Sequence, residues 1–486
     1  MIRLTLFLYA FLTLALPSLA QEPTFTWGTA IDREPREFEN MHVVGISQDS
    51  GFYAIYTEEG KATLERYNYE NQRMWATALL PRSTDNQATV FQDAVVLQHK
   101  VFMISTRQHK GTTTVFAQEI TANGNYVPQV HLLLQAKHAG NLLLTTSRQH
   151  NLLLATLYDP AKKVITASLL SQDLKPQWSK TFATAASSLQ AHLLDNGTAY
   201  VLAKSLPAAP STKSFMLYRL HPDSAKPTEI ELGHEQHRLQ QASLTTTAAQ
   251  DVVVAGYYSS GTEASASDPV LTGTFYYRFQ KDQTKQQVAT YAPFNKVELA
   301  KHNRYRQETD STKWLRSLKL RQLVPVPHGD IIILGEVTYS EGSKNSQVQH
   351  TNDVLAVMLE TDGTPYYTTS IFKKQASPAN NEGLGSFLAT NAGNYLQLLY
   401  IDFEYNFTDD NKLIIAGENS NNREPVLITV MSNGEQQVKP LHQTKTGREQ
   451  QQFYLRPTSA YPVSEKEFIV LGIGLGYYKY GRIRFK

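Results

Sequence analysis

Four times in the second half of this chain an apolar run closes on a glycine. The runs are Val252-Val253-Val254-Ala255-Gly256, Ile331-Ile332-Ile333-Leu334-Gly335, Leu413-Ile414-Ile415-Ala416-Gly417 and Phe468-Ile469-Val470-Leu471-Gly472. No polar residue interrupts them, so both faces of such a strand must be buried between packed layers. The closing glycine permits a close backbone approach or a bulge. Weaker versions stand earlier, at Phe52-Tyr53-Ala54-Ile55, Val101-Phe102-Met103-Ile104, Leu152-Leu153-Leu154-Ala155 and Tyr200-Val201-Leu202-Ala203. Buried strands at recurring intervals, with helical periodicity almost absent, predict a repeated β-unit.

A second mark repeats beside the first: a turn residue followed five positions later by a large aromatic. Asp173 leads to Trp178, Asp362 to Tyr367, Glu70 to Trp75 and Glu22 to Trp27. Asn123-Gly124, Asp362-Gly363 and Asn433-Gly434 are hairpin dipeptides, whose residues tolerate positive φ. The two marks divide the chain into four-stranded blocks beginning near Met41, Ala88, Gly140, Ser188, His237, Ser317, Ser386 and Tyr454. The last block holds only three strands, ending at Tyr480 to Phe485, and Phe25 to Ala30 resembles the missing fourth. The expected fold is therefore all-β: a single β-propeller over residues 21–486, closed by pairing the N-terminal strand with the C-terminal block. Eight blades are favoured and seven is the alternative, because loop lengths blur blocks five to seven.

Two interruptions are expected: a helical excursion over Asn295 to Ser317, and a rim loop over Ala376 to Leu384. An outer-membrane barrel would need strands alternating with period two over about ten residues, and the apolar runs do not alternate. Two stacked sandwiches are the other rival.

The N-terminus reads as a secretory signal over residues 1–20. Arg3 precedes the apolar stretch Leu4 to Leu16, and Ser18-Leu19-Ala20 supplies small residues for cleavage before Gln21. The expected location is therefore the periplasm or the exterior, with no membrane span after cleavage. The 486 residues contain no cysteine, which removes thiol nucleophiles, cysteine-ligated metals and a lipidated N-terminus. A balance of 46 Lys+Arg against 44 Asp+Glu gives no electrostatic reason to expect nucleic acid.

Residues 295–375 resemble a family of uncharacterised secreted Gram-negative propeller-like proteins. The residues that carry the resemblance are Gly335-Glu336, Asn352-Asp353-Val354-Leu355-Ala356-Val357, Asp362-Gly363, Tyr367, Ile371 and Lys373-Lys374-Gln375. The chain departs from the pattern at Tyr367, where tryptophan is usual, and at Phe372, where proline is usual. The resemblance implies the fold and an exported location; the family has no settled activity to transfer. The turn-plus-tryptophan mark is also similar to the repeats of quinoprotein dehydrogenases and outer-membrane assembly lipoproteins, which implies tryptophans that dock one blade on the next.

Motifs for chemistry are sparse. His234-Glu235-Gln236-His237 has two residues between its histidines, the wrong spacing for zinc ligands on a helix face, and reads as an inter-blade loop. Gly472-Ile473-Gly474-Leu475-Gly476 reads as a tight turn before a strand, without the helix N-terminus of a phosphate loop. Asp402, Glu404 and Asn406 share a strand face, and with Asp409 and Asp410 they form an oxygen set that calcium could use; a solvated rim is the simpler reading. Glu336 and Glu418 follow the glycines of matching runs and could face a common channel as an acid/base pair, or cap strand ends. Lys296, Lys301, Arg304 and Arg306 alternate with acids on the excursion and read as a solvated face or a docking surface.

No catalytic, cofactor-binding or metal-binding residue is assigned from sequence. The expected function is an exported, monomeric, non-enzymatic scaffold that binds an envelope protein or glycan through rim loops. The alternative is an envelope polysaccharide hydrolase or lyase with carboxylates in the central channel.

Overall fold

The computed structural model describes residues 23–32, 41–205, 214–234, 236–260, 269–281, 286–306, 313–343, 347–378, 385–392, 395–403, 423–441 and 453–485. They form eight antiparallel sheets built on four-stranded meanders, two of which carry a short fifth strand, Ile31–Asp32 and Ala376–Pro378. Blades 1 to 7 span residues 42–78, 90–136, 141–183, 186–232, 237–293, 318–378 and 388–440. Blade 8 takes three strands from residues 453–484 and its fourth from Thr24–Trp27. The first strands touch one another in cyclic order, blade 8 against blade 1 included, so they surround a central channel. The ring is an eight-bladed β-propeller, which sets aside the seven-bladed alternative. The observed block starts fall within two residues of the expected ones. Among the described residues, no helix is long and apolar enough to cross a membrane.

The uninterrupted apolar runs have a simple reason. Along the second strand of blade 5, Val253, Ala255 and Tyr257 pack against blade 6, while Val252, Val254 and Tyr258 pack against blade 4. Blade 6 repeats this, with Ile331 and Ile333 toward blade 5 and Ile332 and Leu334 toward blade 7. Successive side chains of a strand point to opposite faces, so a strand between two blades needs apolar residues at every position. Gly256 sits opposite a bulge at Leu239/Gln241, where a methyl group would run into the Gln241 carbonyl. Gly335 likewise leaves room for the Tyr257 hydroxyl of the preceding blade.

Blade 7 departs from the expected pattern. Its second strand is Tyr395–Phe403, paired to Leu388–Ala392 and to Arg423–Val430, so the run 413–417 is not the counterpart of Ile331 to Gly335. Leu396 to Ile401 supply the two-sided apolar surface instead, with Leu396, Leu398 and Tyr400 facing blade 6 and Leu399 and Ile401 facing blade 8. The expected rim loop also changes at its start. Ala376–Pro378 pairs with the long third strand of blade 6, Val348–Leu359, which outruns its fourth strand and leaves Val348 to His350 open. The excursion forms helix α1 (Lys296–Arg306), capped by Asn295 Oδ1 on the Val297 amide at 2.9 Å, and the short helix α2 (Lys313–Arg316).

The aromatic mark occupies the outermost strand, and in blades 1 and 6 it packs on a turn of the next blade. Trp75 Nε1 donates to the Ala122 carbonyl of blade 2 at 2.8 Å, over the Asn123-Gly124 turn. Tyr367 of blade 6 packs on Gly434 of blade 7, whose φ is +83°. Asn71 of blade 1 donates to the Thr26 carbonyl of blade 8 at 3.1 Å.

The ring closes where Thr24–Trp27 pairs with Tyr477–Arg484. Buried Glu65 anchors the seam, accepting hydrogen bonds at 2.7 Å from Tyr67 of its own blade and from Tyr478 of the C-terminal strand. Trp27 meets Phe453 edge-on at 5.0 Å, and the Lys479 ammonium lies 4.9 Å from its ring centre. Replacing Trp27 by Ala removes this packing and should cost about 2–4 kcal/mol in a denaturant titration; an unchanged midpoint would show that the seam does not hold the ring. Burial alone would raise the nearby Glu467 carboxyl, but hydrogen bonds from Arg482 and Arg484 outweigh it and hold it below the usual range. A depressed carboxyl contributes stability that is present above its unfolded value and lost as pH falls through the folded one. The melting temperature of the native chain should therefore fall more steeply below about pH 4.5 than that of Glu467→Gln.

Candidate functional site

The two faces of the ring differ. Connections from first to second and from third to fourth strand leave one face, and most are tight turns such as Thr121–Asn125, Val326–Asp330 and Glu360–Thr364, each closed by a backbone hydrogen bond. Connections from second to third strand and from blade to blade leave the other face. Among the described strands, the five longest intervals all join strand ends on this second face: 261–272, 294–317, 372–387, 404–422 and 441–452. They crowd blades 5 to 8, whereas the second-to-third connections of blades 1 and 2 are two residues each, Glu59-Gly60 and Lys110-Gly111. The first strands enter the channel from this loop-bearing face.

At this face the channel mouth is polar over blades 4 to 6. A pocket of ≈ 220 Å³ is lined by Ser188, Gln190, Lys204, Gln240, Ser243 and Arg321, among others. Its walls are tied between blades: Gln190 Nε2 donates to the Ala242 carbonyl at 3.3 Å, and Ser243 Oγ donates to Gln190 Oε1 at 3.2 Å. Gln241 bridges blades 5 and 6, donating to the Leu318 carbonyl at 2.8 Å and accepting from the Leu320 amide at 2.6 Å. Lys204 Nζ donates to the Gln240 carbonyl at 3.2 Å. Burial, then repulsion from Lys319 and Arg238, pushes its ammonium below the ordinary lysine range. On the opposite wall, His42 Nε2 lies 3.1 Å from Asp93 Oδ1.

Arg321 joins this mouth to a buried polar network under the helical excursion. Its Nε donates to Glu336 Oε2 at 2.7 Å, and the other carboxylate oxygen lies 2.6 Å from Lys373 Nζ. Lys373 is fully buried and also donates to the Thr351 carbonyl at 2.7 Å and to Gln375 Oε1 at 2.8 Å. Burial lowers its ammonium, while Glu336, Asp402 and Asp353 act the other way. Asp353 accepts from the Lys373 amide at 3.0 Å and lies 3.6 Å from His302 Nε2 of α1. His302 in turn packs on Trp314 at 4.2 Å. Gln375 Nε2 reaches the Ile401 carbonyl of blade 7 at 2.6 Å. The segments Asn352-Asp353 and Lys373-Lys374-Gln375, singled out in the sequence, are thus one structural joint of blade 6, blade 7 and the excursion.

The residues marked for chemistry scatter accordingly. Glu336 is buried between two cations and does not face the channel as a free acid; Glu418 lies outside the described residues, and the second strand of blade 7 is elsewhere. Asp402 is buried and its charge acts on Lys373, while Glu404, Asn406, Asp409 and Asp410 lie outside the described residues. Among the described residues, no group of three His, Asp or Glu side chains is placed to hold a metal. The His234 and His237 rings stack at 5.0 Å, and His237 Nδ1 lies 2.8 Å from Ser260 Oγ; Glu235 lies outside the described residues. Gly476, at φ +73°, makes the tight turn into the last strand. Lys301 is exposed on α1 beside Glu298 at 3.3 Å; the side chains of Arg304 and Arg306 lie outside the described residues. Sequence reading missed Lys204, Arg238, Lys319 and Arg321. They stand on three strands of three blades, far apart in sequence, and share no motif.

No family model matches the chain, and no curated protein matches it. Solved structures similar to it include an uncharacterized protein of Listeria monocytogenes, at 10% identity over 83% of this chain and 99% of that one, with a TM-score of 0.38. The WD40 domain of SCAP from fission yeast matches at 8% identity, covering 94% and 98%, with a TM-score of 0.39. The β-propeller domain of the Trilobed protease from Pyrococcus furiosus, described as having an open velcro topology, matches at 10% identity, covering 86% and 96%, with a TM-score of 0.35. The eight-bladed assignment rests on the strand pairing itself.

Removing one member of a buried ion pair leaves the other uncompensated, at about 3–5 kcal/mol. Glu336→Gln and Lys373→Met should each lose stability on that scale. The double variant should fall short of their sum by about 1–3 kcal/mol, because the two groups share one interaction. Additive losses in denaturant titrations would mean that the pair is not coupled.

Proposed function

We propose that this chain is an exported, monomeric, non-enzymatic scaffold that binds an envelope protein or a glycan through its loop-bearing face. The observation that carries the reading is that the five longest intervals between described strands join strand ends on one face, the face of the polar channel mouth, while tight turns dominate the other. A rigid ring with variable loops on one side suits recognition, since loops tolerate change that the strands beneath do not. The signal-like pattern of residues 1–20 supports export, and pairing of Thr24–Trp27 with Tyr477–Arg484 closes the ring within one chain. The hydrolase reading relied on Glu336 as a channel acid, and its ion pairs with Arg321 and Lys373 commit that carboxylate to structure.

Phe403 and Arg423 are paired neighbours, so the segment 404–422 between them can be replaced by an Asn-Gly turn without moving either strand. The immobilised chain should capture a specific protein or glycan from envelope extract. The shortened variant should keep its melting temperature and lose most of that capture. Equal capture by both, or turnover of an envelope polysaccharide by the native chain, would overturn the reading.

A further inference from the structure

An arginine recurs near the end of the third strand in four blades: Arg66 in blade 1, Arg219 in blade 4, Arg278 in blade 5 and Arg482 in blade 8. Register places them alike, opposite Tyr53, Tyr200, Val253 and Ile469 of the second strands. Three of them reach the next blade, where Arg66 donates to the Ala122 carbonyl, Arg278 to the Thr361 carbonyl and Arg482 to the Ser50 carbonyl. An acid of the same blade meets each of those three charges: Asp49 at 2.8 Å, Asp251 at 2.7 Å and Glu467 at 2.7 Å.

Blade 4 has the arginine without the acid. Asp251 and Glu467 stand two residues before the arginine's partner on the second strand, and Thr198 occupies that position in blade 4. Asp49 stands two residues into the first turn of blade 1, and the matching residue of the blade 4 turn is Asn196. Asp195 beside it is taken up by the Gln149 amide at 3.1 Å and by Gln250 Nε2 at 3.2 Å. Arg219 is 7% exposed, and its Nε is buried with no hydrogen-bond partner; among the described residues no acid pairs with it. Thr198 is fully buried, and its Oγ1 has no partner either. The two are diagonal neighbours on one face of the sheet, a spacing that long side chains span. That face packs on blade 5, where Phe215 and Leu217 share an apolar cluster with Val252 and Val254. A guanidinium stays protonated at any pH a folded protein tolerates. Arg219 therefore has no neutral form to adopt, and its burial calls for a counter-charge.

We infer that blade 4 takes this counter-charge from solution: a small monovalent anion, halide or carboxylate, held by Arg219 Nε and Thr198 Oγ1 on the tight-turn side of the seam with blade 5. So little of Arg219 is exposed that an ion or a short-chain acid can reach it, whereas the acidic side chain of a folded partner stays outside.

Chloride is the probe, read through the excess NMR linewidth that protein-bound chloride gives. The purified chain should broaden the chloride signal, acetate should reverse the broadening, and a bulky sulfonate buffer anion should not. Arg219→Met should remove the excess linewidth. Thr198→Asp, which installs the carboxylate that blades 5 and 8 carry at this position, should remove it as well. Raising chloride from about 0.01 to 0.5 M at constant ionic strength, with the sulfonate as the replacement, should raise the melting temperature of the native chain by about 1–3 °C and leave both variants unmoved. The inference is overturned by any of three results: no excess linewidth in the native chain, excess linewidth retained in either variant, or displacement by the sulfonate as strong as that by acetate. Should Arg219→Met fail to fold, Thr198→Asp decides, and should neither fold, the competition between acetate and sulfonate on the native chain decides.

Discussion

No blade of this ring can bury its own second strand. Val252 to Tyr258 send alternate side chains to blade 4 and to blade 6, and Ile331 to Leu334 do the same one blade further on. A single blade would leave both of those faces in water. At about 25 cal/mol per Å² of apolar surface, the favourable energy is therefore collected between blades and not within them. Each neighbouring pair of blades has its own apolar cluster, and blades 8 and 1 share theirs through Met41, Phe52, Ile469 and Tyr480. Closure follows from this requirement, because an open ring would expose two unmatched faces. The Glu65 carboxylate between Tyr67 and Tyr478 gives the closing contact direction as well as area.

The same requirement explains how the polar groups are distributed. Beneath the helical excursion, the buried charges share one network of ion pairs and hydrogen bonds. Lys373 reaches Glu336, Thr351 and Gln375 at once. The networks cluster where regular blade packing is interrupted, beneath α1 and beside the edge that Ala376–Pro378 covers.

The repeat itself was legible in the chain. Apolar runs ending in glycine marked second strands, turn-plus-aromatic pairs marked outer strands, and together they located all eight blade starts and the strand exchanged at the ends. Blade 7 was misread because the run at 413–417 has the right composition, and composition does not say which of two apolar stretches pairs with Leu388–Ala392. The chemistry was less legible for a similar reason. The sequence left Glu336 as either a channel acid or a strand cap because its partner Lys373 lies two strands later, and the pocket at the channel mouth draws on positions 188, 204, 240 and 321, which share no motif. Local pattern specifies a strand; contacts across blades depend on register, which single positions do not reveal.

The strand at Thr24–Trp27 is made first and finds its partner last. Its pairing residues, Gly481 to Arg484, are the final part of the sheet to emerge. Until they do, blade 1 has no closed neighbour and Glu65 has no Tyr478, a contact spanning 413 positions. Contacts of such separation are slow to form, and an incomplete ring presents bare edges to other chains meanwhile. The ring thus stays unsealed until Gly481 to Arg484 are present to receive the strand at Thr24–Trp27.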